Sequence, residues 1–410
     1  MRRLWTLIAD VRNSRTARRF AILTVSRAIS SVLQAITFAY VARLMGLDGF
    51  GTFSIAYSSC LLAMSFFEFG LGNRSLRVAS DPESSRVIAT IVLIRISTNS
   101  LVLTGVITVW LALSHPPVLF AVCLALYVTG DLFGNLMQSL LIGLNREYLA
   151  TIVLVTRRVV PLGFLIWFGL FGDSGQETAY VALAITGGLG YILGLAPILR
   201  LCGRPYSPVR FISQNHRFAT TSLASNIQQA DSLVVGLFGG TLIAGLYGAA
   251  VRLAAPLNLV TGSVMQSVVP SLASMKVHED RAAAMRRVIS VMTVFAVVLA
   301  AMSVLSPLIV TVLYGEEFYA SWPLAAAVIV VAAINSINQP IFGWYYAGQI
   351  PTLVPVLIAT TSILTVAVLG IGSLTGDPIV MGALMVVVAF ISHLVLRRRF
   401  RRDLGTANAG

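Results

Sequence analysis

The chain has 410 residues, 57% of them apolar, and a mean hydropathy of +0.86, which together exclude an ordinary water-soluble domain. It carries 29 basic and 16 acidic residues, a formal net charge of +13. The basic residues form no continuous face, so they indicate membrane topology and contacts with membrane lipids, and we expect no nucleic-acid partner.

Twelve long apolar segments follow one another along the chain, each able to supply the roughly 20 residues that a membrane-spanning helix needs. We predict spans at residues 20–42, 50–71, 87–113, 117–141, 150–171, 179–201, 218–238, 246–270, 288–314, 322–345, 353–374 and 378–396. Only helices satisfy their own backbone hydrogen bonds in lipid, so the predicted fold class is an all-α polytopic membrane protein. Residues 1–19 form an arginine-rich amphipathic segment that we expect to lie on the membrane surface.

Most of the arginines fall at the two chain ends and in alternate loops between these spans. Since an excess of Lys and Arg marks the cytoplasmic side, we predict that both termini are cytoplasmic, with a basic tail after the last span. The longest loops, 202–217 and 271–287, are basic and belong to the same side, whereas the outer loops are only a few residues long.

A faint internal repeat relates the two halves of the chain. GLDGFGTFSIA (Gly46–Ala56) resembles GTLIAGLYGAA (Gly240–Ala250), and both lie at the turn between the first and second helix of a six-helix set. Because six is an even number, the two halves have the same orientation in the membrane. We therefore predict two six-helix lobes, residues 1–205 and 206–410.

Four segments resemble a known family: YVARLMGLDGFGTFSIAYS (Tyr40–Ser58), FFEFGLGNRSL (Phe66–Leu76), SNIQQADSLVVGLFGGTLIAGLYGAAVRLA (Ser225–Ala254) and VLYGEEFYASWPLA (Val312–Ala325). Their order and spacing are similar to those of the polysaccharide (Wzx-like) flippases of the multidrug/oligosaccharidyl-lipid/polysaccharide exporter (MOP) superfamily. The resemblance implies two lobes around a central cavity that work by alternating access. It also implies export of an undecaprenyl-pyrophosphate-linked oligosaccharide, for cell-surface polysaccharide biosynthesis, across the bacterial plasma membrane. A polysaccharide polymerase and other assembly proteins are further partners that it suggests.

Ionisable residues within the spans are the candidates for substrate binding, because each costs at least about 2.5–3.5 kcal/mol at mid-bilayer unless it faces a cavity or a partner. Arg27 and Gln34 share one face of the first span, and Arg95 and Asn99 share one face of the third. These polar faces should point inward, either to form interhelical hydrogen bonds or to line a wet path. Arginine is a planar, permanently charged phosphate binder, so we assign these four residues to a pyrophosphate-binding cavity.

Arg157 and Arg158 complete the proposed substrate-binding set. Adjacent residues of a helix point about 100° apart, so only one of them is expected to face a given cavity. Both lie early in the fifth span, and snorkelling to the inner surface is the alternative. Snorkelling is also the expectation for Arg43 and Arg252, which lie near the predicted outer ends of their spans.

Three carboxylates, Asp131, Asp231 and Glu68, are candidates for coupling transport to an ion. A carboxylate that alternates between a buried environment and an arginine neighbour can carry a proton. Static salt bridges are the alternative for Asp131 and Asp231, and pairing with a neighbouring arginine is the alternative for Glu68.

Other functions would require features that the chain lacks. A multidrug or cation exporter of the same superfamily would be expected to have acidic residues in its interior, and here arginines dominate. An integral-membrane glycosyltransferase or polymerase would be expected to have a large outer loop. The sequence has no nucleotide-binding loop and no clustered metal-ligand motif, so we expect no enzymatic activity, no cofactor and no metal.

Overall fold

The structure is a computed structural model that describes residues 15–75, 78, 83–114, 117–172, 175–214, 227–274, 278–346 and 353–406. The described residues form helices, labelled α1 to α13: Arg15–Phe66, Leu71–Ser75, Ser84–Ser114, Val118–Gly143, Glu147–Phe171, Gln176–Leu199, Pro208–Gln214, Asp231–Ser274, His278–Met302, Ser306–Tyr314, Trp322–Tyr346, Leu353–Leu374 and Pro378–Thr406. Short 3₁₀ turns occur at Ile227–Ala230, Ser303–Leu305 and Glu316–Ser321. The predicted surface segment 1–19 and part of the predicted span 218–238 lie outside the described residues.

Ten stretches of the described chain are long and apolar enough to cross a membrane, which confirms a multi-pass, all-α membrane protein. Two of these stretches contain a break in the helical backbone, one at Gly46 in α1 and one at Gly240 in α8. Each of these stretches is therefore two helices joined at a glycine. These two breaks account for the difference from the twelve segments predicted from the sequence.

The two breaks have the same backbone conformation. Gly46 has φ 68° and ψ 176°, and Gly240 has φ 78° and ψ −179°. Positive φ with extended ψ is a region that only glycine enters readily, because any Cβ would collide with the backbone. Gly46 and Gly240 are paired in the sequence repeat, and their shared backbone conformation confirms that pairing.

The residues five positions after each break are also equivalent, and they allow two helices to approach closely. A Cβ added at Gly51 would overlap the carbonyl oxygen of Thr241, and one added at Gly245 would overlap the carbonyl oxygen of Leu47. Each glycine thus packs against the first turn that follows the break in the other repeat. Small residues at such crossings let membrane helices approach to backbone contact.

The chain divides into two compact units, one comprising Met1–Thr37 with Ala63–Ser222 and the other Phe38–Leu62 with Leu223–Gly410. The segment Phe38–Leu62, which contains the Gly46 break, thus groups with the second half of the chain. The lobes proposed from the sequence, 1–205 and 206–410, follow the repeat rather than spatial proximity, and they stay a prediction.

Polar contacts hold the segment Phe38–Leu62 within the second unit. The backbone N–H of Leu47, the first residue after the Gly46 break, donates to Glu317 Oε1 at 2.8 Å. Because Leu47 begins the helix that follows the break, the Glu317 carboxylate caps the start of that helix from a distant part of the chain. Arg43 donates to the carbonyl oxygen of Val312, so its side chain has a protein partner at this end of the helix.

One sequence prediction about a basic segment is wrong. The predicted loop 271–287 is largely helical, because α8 continues to Ser274 and α9 begins at His278. The last helix contains the predicted span 378–396 and continues through the basic tail to Thr406. In both places buried apolar residues continue at helical spacing past the arginines, so the helix gains packing after it leaves the apolar stretch.

Candidate functional site

The most tightly connected group of predicted site residues lies in the first unit, where α4 and α5 bring Asp131, Arg157 and Arg158 together. Asp131 Oδ1 lies 2.5 Å from Arg157 Nη2 and 2.9 Å from Arg158 Nη2. Arg157 is 0% exposed, Asp131 5% and Arg158 6%. Both guanidinium groups therefore meet one buried carboxylate, and snorkelling to the surface is excluded for both arginines.

From the sequence, only one of two adjacent arginines is expected to face a given cavity, yet both guanidinium groups reach the same carboxylate. Helical geometry separates Arg157 and Arg158 by about 100° at Cβ. The three methylene groups of each side chain nevertheless let both guanidinium groups bend toward the same oxygen of Asp131.

Neighbouring groups fix the position of Arg157. Its Nη2 also donates to the backbone carbonyl oxygen of Asp131 at 2.9 Å, and its Nη1 donates to Asn135 Oδ1 at 3.4 Å. The amide of Asn135 donates to Asp131 Oδ2 at 3.2 Å. A Cβ at Gly134 would overlap the Arg157 guanidinium group, so the missing side chain provides the space for it.

In this cluster the carboxylate of Asp131 faces two guanidinium groups. Both arginines are permanently protonated, whereas Asp131 has one carboxylate. Charge interactions are stronger in a buried site than in water. Such a site is chemically suited to attract an anion.

A second group in the same unit surrounds Arg95 and Asn99 of α3. Asn99 Nδ2 donates to the Thr129 carbonyl oxygen and to the Tyr191 hydroxyl, each at 3.0 Å. Arg95 is buried, and both Glu68 and Tyr191 lie close enough to interact with it electrostatically. Within the described residues, Arg95 Nε has no hydrogen-bond partner. Whether Glu68 couples transport to an ion or pairs with a neighbouring arginine stays a prediction.

Arg27 and Gln34 lie half-buried on α1, on the polar face predicted from the sequence. The other members of that face, Ser30, Ser31 and Thr37, are buried. The opposite face is apolar and exposed, at Val25, Ile29, Val32 and Ile36. This arrangement is the reverse of a water-soluble helix, and it confirms that the polar face of α1 points into the protein.

Asp231, the predicted carboxylate of the second unit, has a different environment. Its Oδ1 accepts a hydrogen bond from the Ser232 backbone N–H at 2.5 Å and another from the Ser232 hydroxyl at 3.2 Å. Its Oδ2 accepts a hydrogen bond from the Tyr247 hydroxyl at 3.0 Å. These donors are neutral, and Arg252 contributes only a weaker electrostatic interaction.

Arg252 does not snorkel, and it is enclosed by aromatic rings in the second unit. Its guanidinium carbon lies 4.7 to 5.7 Å from the ring centroids of Phe38, Phe50, Phe53 and Tyr57. Its Nη1 donates to Ser54 Oγ at 3.0 Å and to the Gly248 carbonyl oxygen at 2.8 Å. Cation–π contacts satisfy a guanidinium group without a carboxylate, so Arg252 needs no pairing with Asp231.

Sequence reasoning missed several residues that organise these sites. Tyr191 joins Asn99 to the surroundings of Arg95, and Tyr247 binds Asp231, but a tyrosine in an apolar segment gives no signal of its own. A buried pair in the second unit was also missed, in which His393 Nδ1 lies 2.7 Å from Asn338 Oδ1. The polar residues of α11 gave a partial signal for that pair, since Asn338 belongs to a short run of amides.

The chain resembles known proteins both in sequence and in fold. The sequence profile of a family described as "Polysaccharide biosynthesis protein" matches residues 16–276. No curated protein gave a significant sequence match.

Several solved structures have a similar fold over nearly the whole chain. A multidrug resistance MATE family transporter of the MOP superfamily, in an inward-facing conformation, has a TM-score of 0.69 and 14% identity, covering 94% of this chain and 99% of that one. The lipid II flippase MurJ, in an inward closed conformation, has a TM-score of 0.68 and 12% identity, covering 93% and 87%. A MOP superfamily transporter from Pyrococcus furiosus has a TM-score of 0.57 and 14% identity, covering 93% and 95%. At these identities the likeness shows the fold.

Proposed function

The chain belongs to the polysaccharide biosynthesis protein family, and from this premise we propose that it flips an undecaprenyl-pyrophosphate-linked oligosaccharide across the bacterial plasma membrane. In this proposal the protein is a transporter and not an enzyme. The lipid-linked oligosaccharide moves from the inner to the outer leaflet by alternating access, and a polymerase and other assembly proteins use it on the outer side.

The observation that carries the proposal is the group of buried arginines inside the first unit, Arg95, Arg157 and Arg158. Arg157 and Arg158 share one carboxylate, and the buried Arg95 has Glu68 near it. Burying a cation at bilayer depth is costly, and a fold retains it where an anion or a polar path has to be accommodated. Arginine's planar fork of donors matches the oxygens of a phosphate group and can bind two of them at once.

The same observation argues against a multidrug or cation exporter. A cavity that attracts cationic drugs would be expected to contain uncompensated carboxylates, as charge complementarity requires. In the first unit the carboxylates Asp131 and Glu68 both have arginine neighbours. The fold is shared by both kinds of transporter, so the distinction rests on the charges of the first unit. In the second unit Asp231 is held by neutral donors, and we assign it to ion coupling.

Arg27 and Arg95 are proposed to hold the pyrophosphate. Replacing either with Ala is expected to reduce flipping at least about tenfold, because each would remove a hydrogen bond between charged groups. The measurement is flipping of a fluorescent undecaprenyl-diphosphate oligosaccharide in vesicles that contain only this protein, read by a membrane-impermeant quencher. Arg200→Ala, at an exposed arginine, is the matched control.

The outcomes separate binding from folding. Membrane insertion and monodispersity of each variant should match the unsubstituted protein. Arg95→Lys should keep part of the activity, since it retains the charge and loses the planar fork. Normal flipping by both Ala variants would remove the pyrophosphate assignment, and failure of the unsubstituted protein to flip this lipid would remove the proposed substrate.

Asp231 is the better of the two buried aspartates for ion coupling. A carboxylate held only by neutral donors can exchange a cation or a proton without breaking an ion pair, whereas Asp131 would have to leave two arginines. Asp231→Asn should therefore abolish any dependence of flipping on a pH gradient. An unchanged dependence would exclude this role. The membrane potential alone favours export of an anion by about 2.3 kcal/mol per charge per 100 mV.

A further inference from the structure

The last helix, α13, has two distinct faces along its whole length. One face is buried, at Met385, Ala389, His393, Leu396 and Phe400. The other is exposed and apolar, at Val387, Phe390, Ile391, Leu394 and Val395. Since the residues of the second set recur at intervals of three and four, they form one continuous stripe facing away from the protein. In a membrane protein, such a stripe contacts acyl chains.

The exposed stripe of α13 ends in arginines. Helical spacing takes it from Ile391 and Leu394 to Arg398 and Arg401, both of which are exposed. The helix has 29 residues and is about 43 Å long, against about 30 Å for the hydrocarbon core. Its final turns therefore extend beyond the acyl chains, and the guanidinium groups lie at the depth of the headgroup phosphates.

Packing on the opposite face keeps this arginine-bearing end helical. Phe400 packs edge-on against Trp344, with ring centroids 6.0 Å apart. Asp403 accepts a hydrogen bond from the Tyr345 hydroxyl at 2.9 Å and pairs with Arg399 at 3.1 Å. Asp403 is thus engaged with Arg399, on a different side of the helix from Arg398 and Arg401. The two stripe arginines are held in place at the end of an ordered helix.

Helix α9 also has an exposed apolar stripe that leads to an arginine near one end of the helix. Its exposed residues Val291, Val294 and Val298 lead back at helical spacing to the exposed Arg287 near the helix start. The buried faces of α9 and α13 share one apolar cluster, which includes Met285 and Phe400 and places both arginine ends on the same side. Two lipid-facing stripes therefore end in basic residues next to a common core.

From this continuity we propose that the end of α13 is a binding site for an anionic phospholipid, with acyl chains along the stripe and the headgroup phosphate on Arg398 and Arg401. A phospholipid fits because its acyl chains are apolar and its headgroup is negative, in the same order as the apolar stripe and the arginines along the helix. A free phosphate would use only the arginines, and an acidic protein would leave the apolar stripe uncovered. This site does not depend on the proposed transport substrate.

The test is binding of phosphatidylglycerol to the purified full-length protein in detergent, measured by native mass spectrometry against phosphatidylcholine. The double variant Arg398→Ala/Arg401→Ala should bind phosphatidylglycerol roughly 25-fold more weakly, since each arginine near an anionic headgroup contributes about fivefold. Binding of phosphatidylcholine should not change. Arg398→Lys/Arg401→Lys should retain most of the preference, because both charges remain.

The matched control removes the same charge elsewhere. Arg146→Ala/Arg204→Ala changes two exposed arginines that lie outside the helices, so neither of them continues a helical stripe. This variant should bind phosphatidylglycerol like the unsubstituted protein, and all variants should have the same melting temperature. An equal loss in both double variants would overturn the proposal in favour of a general effect of net charge. Displacement of the lipid by millimolar inorganic phosphate would overturn it in favour of a free-anion site.

Discussion

Asp131 and Asp231 are both aspartates within long apolar helices, yet their carboxylates have different partners in the two units. Asp131 pairs with two arginines at 2.5 and 2.9 Å. Asp231 is held by Ser232 and by Tyr247. In the second unit the guanidinium group of Arg252 lies against aromatic rings instead. The comparison shows that a buried carboxylate takes its chemistry from its neighbours rather than from its depth in the membrane.

Because their neighbours differ, removing the charge of Asp131 and removing that of Asp231 should reduce stability by different amounts. Removing the charge of Asp131 breaks two buried ion pairs at once, whereas removing that of Asp231 leaves neutral donors that an amide oxygen can still satisfy. The following substitutions test that distinction, and they are ordered by the size of the expected effect.

Asp131→Asn should cost about 3–5 kcal/mol of stability, the usual loss when one partner of a buried ion pair is removed. Asp231→Asn should cost about 1 kcal/mol, since its hydrogen bonds are largely retained. Thermal unfolding of both variants in the same detergent measures the difference. Equal melting temperatures for the two variants would show that the Asp131 ion pairs contribute no more than the neutral hydrogen bonds.

Gly134→Ala should cost about 1–3 kcal/mol, because the added Cβ overlaps the Arg157 guanidinium group and forces it away from Asp131. Gly163→Ala is the matched control, since a Cβ there meets nothing within 4 Å. That substitution should leave stability unchanged or raise it by up to about 1 kcal/mol, as expected for a helical glycine. The measurement is again thermal unfolding, and a Gly134→Ala variant as stable as Gly163→Ala would contradict the packing described for Arg157.

Tyr247→Phe should have the smallest effect, about 1 kcal/mol, because it removes one hydrogen bond to Asp231. Tyr314→Phe is its control: Tyr314 is equally buried, and its hydroxyl has no hydrogen-bond partner within the described residues. Removing that hydroxyl should not destabilise the protein. If chemical denaturation shows the same loss for both variants, the contact between Tyr247 and Asp231 is not stabilising.

Much of the fold was predictable because lipid imposes strict conditions on a sequence. The apolar segments, the inward polar face of α1 and the equivalence of Gly46 with Gly240 all follow from local composition and spacing. The basic ends were predicted less well. Sequence rules treat arginines as loop residues, whereas Leu396 and Phe400 continue the buried face of α13 past the arginines that precede them.

The candidate site was only partly predictable for the same physical reason. Sequence spacing identified Arg157 and Asp131 as costly residues, but it gave no information on which residues of other helices would approach them. Their pairing depends on the way α4 packs against α5 and on the space left at Gly134. Likewise, the sequence indicated snorkelling for Arg252, and only the arrangement of aromatic rings from α1 around it showed another way to stabilise its charge.

By itself, the sequence determined that this is a multi-pass helical protein with interior charge and two glycine breaks, because hydrophobicity and backbone strain are properties of short segments. The tertiary structure decided which carboxylate compensates which arginine, and it grouped Phe38–Leu62 with the second unit. Those outcomes depend on contacts between residues far apart in the chain, where small differences in packing decide which charges meet.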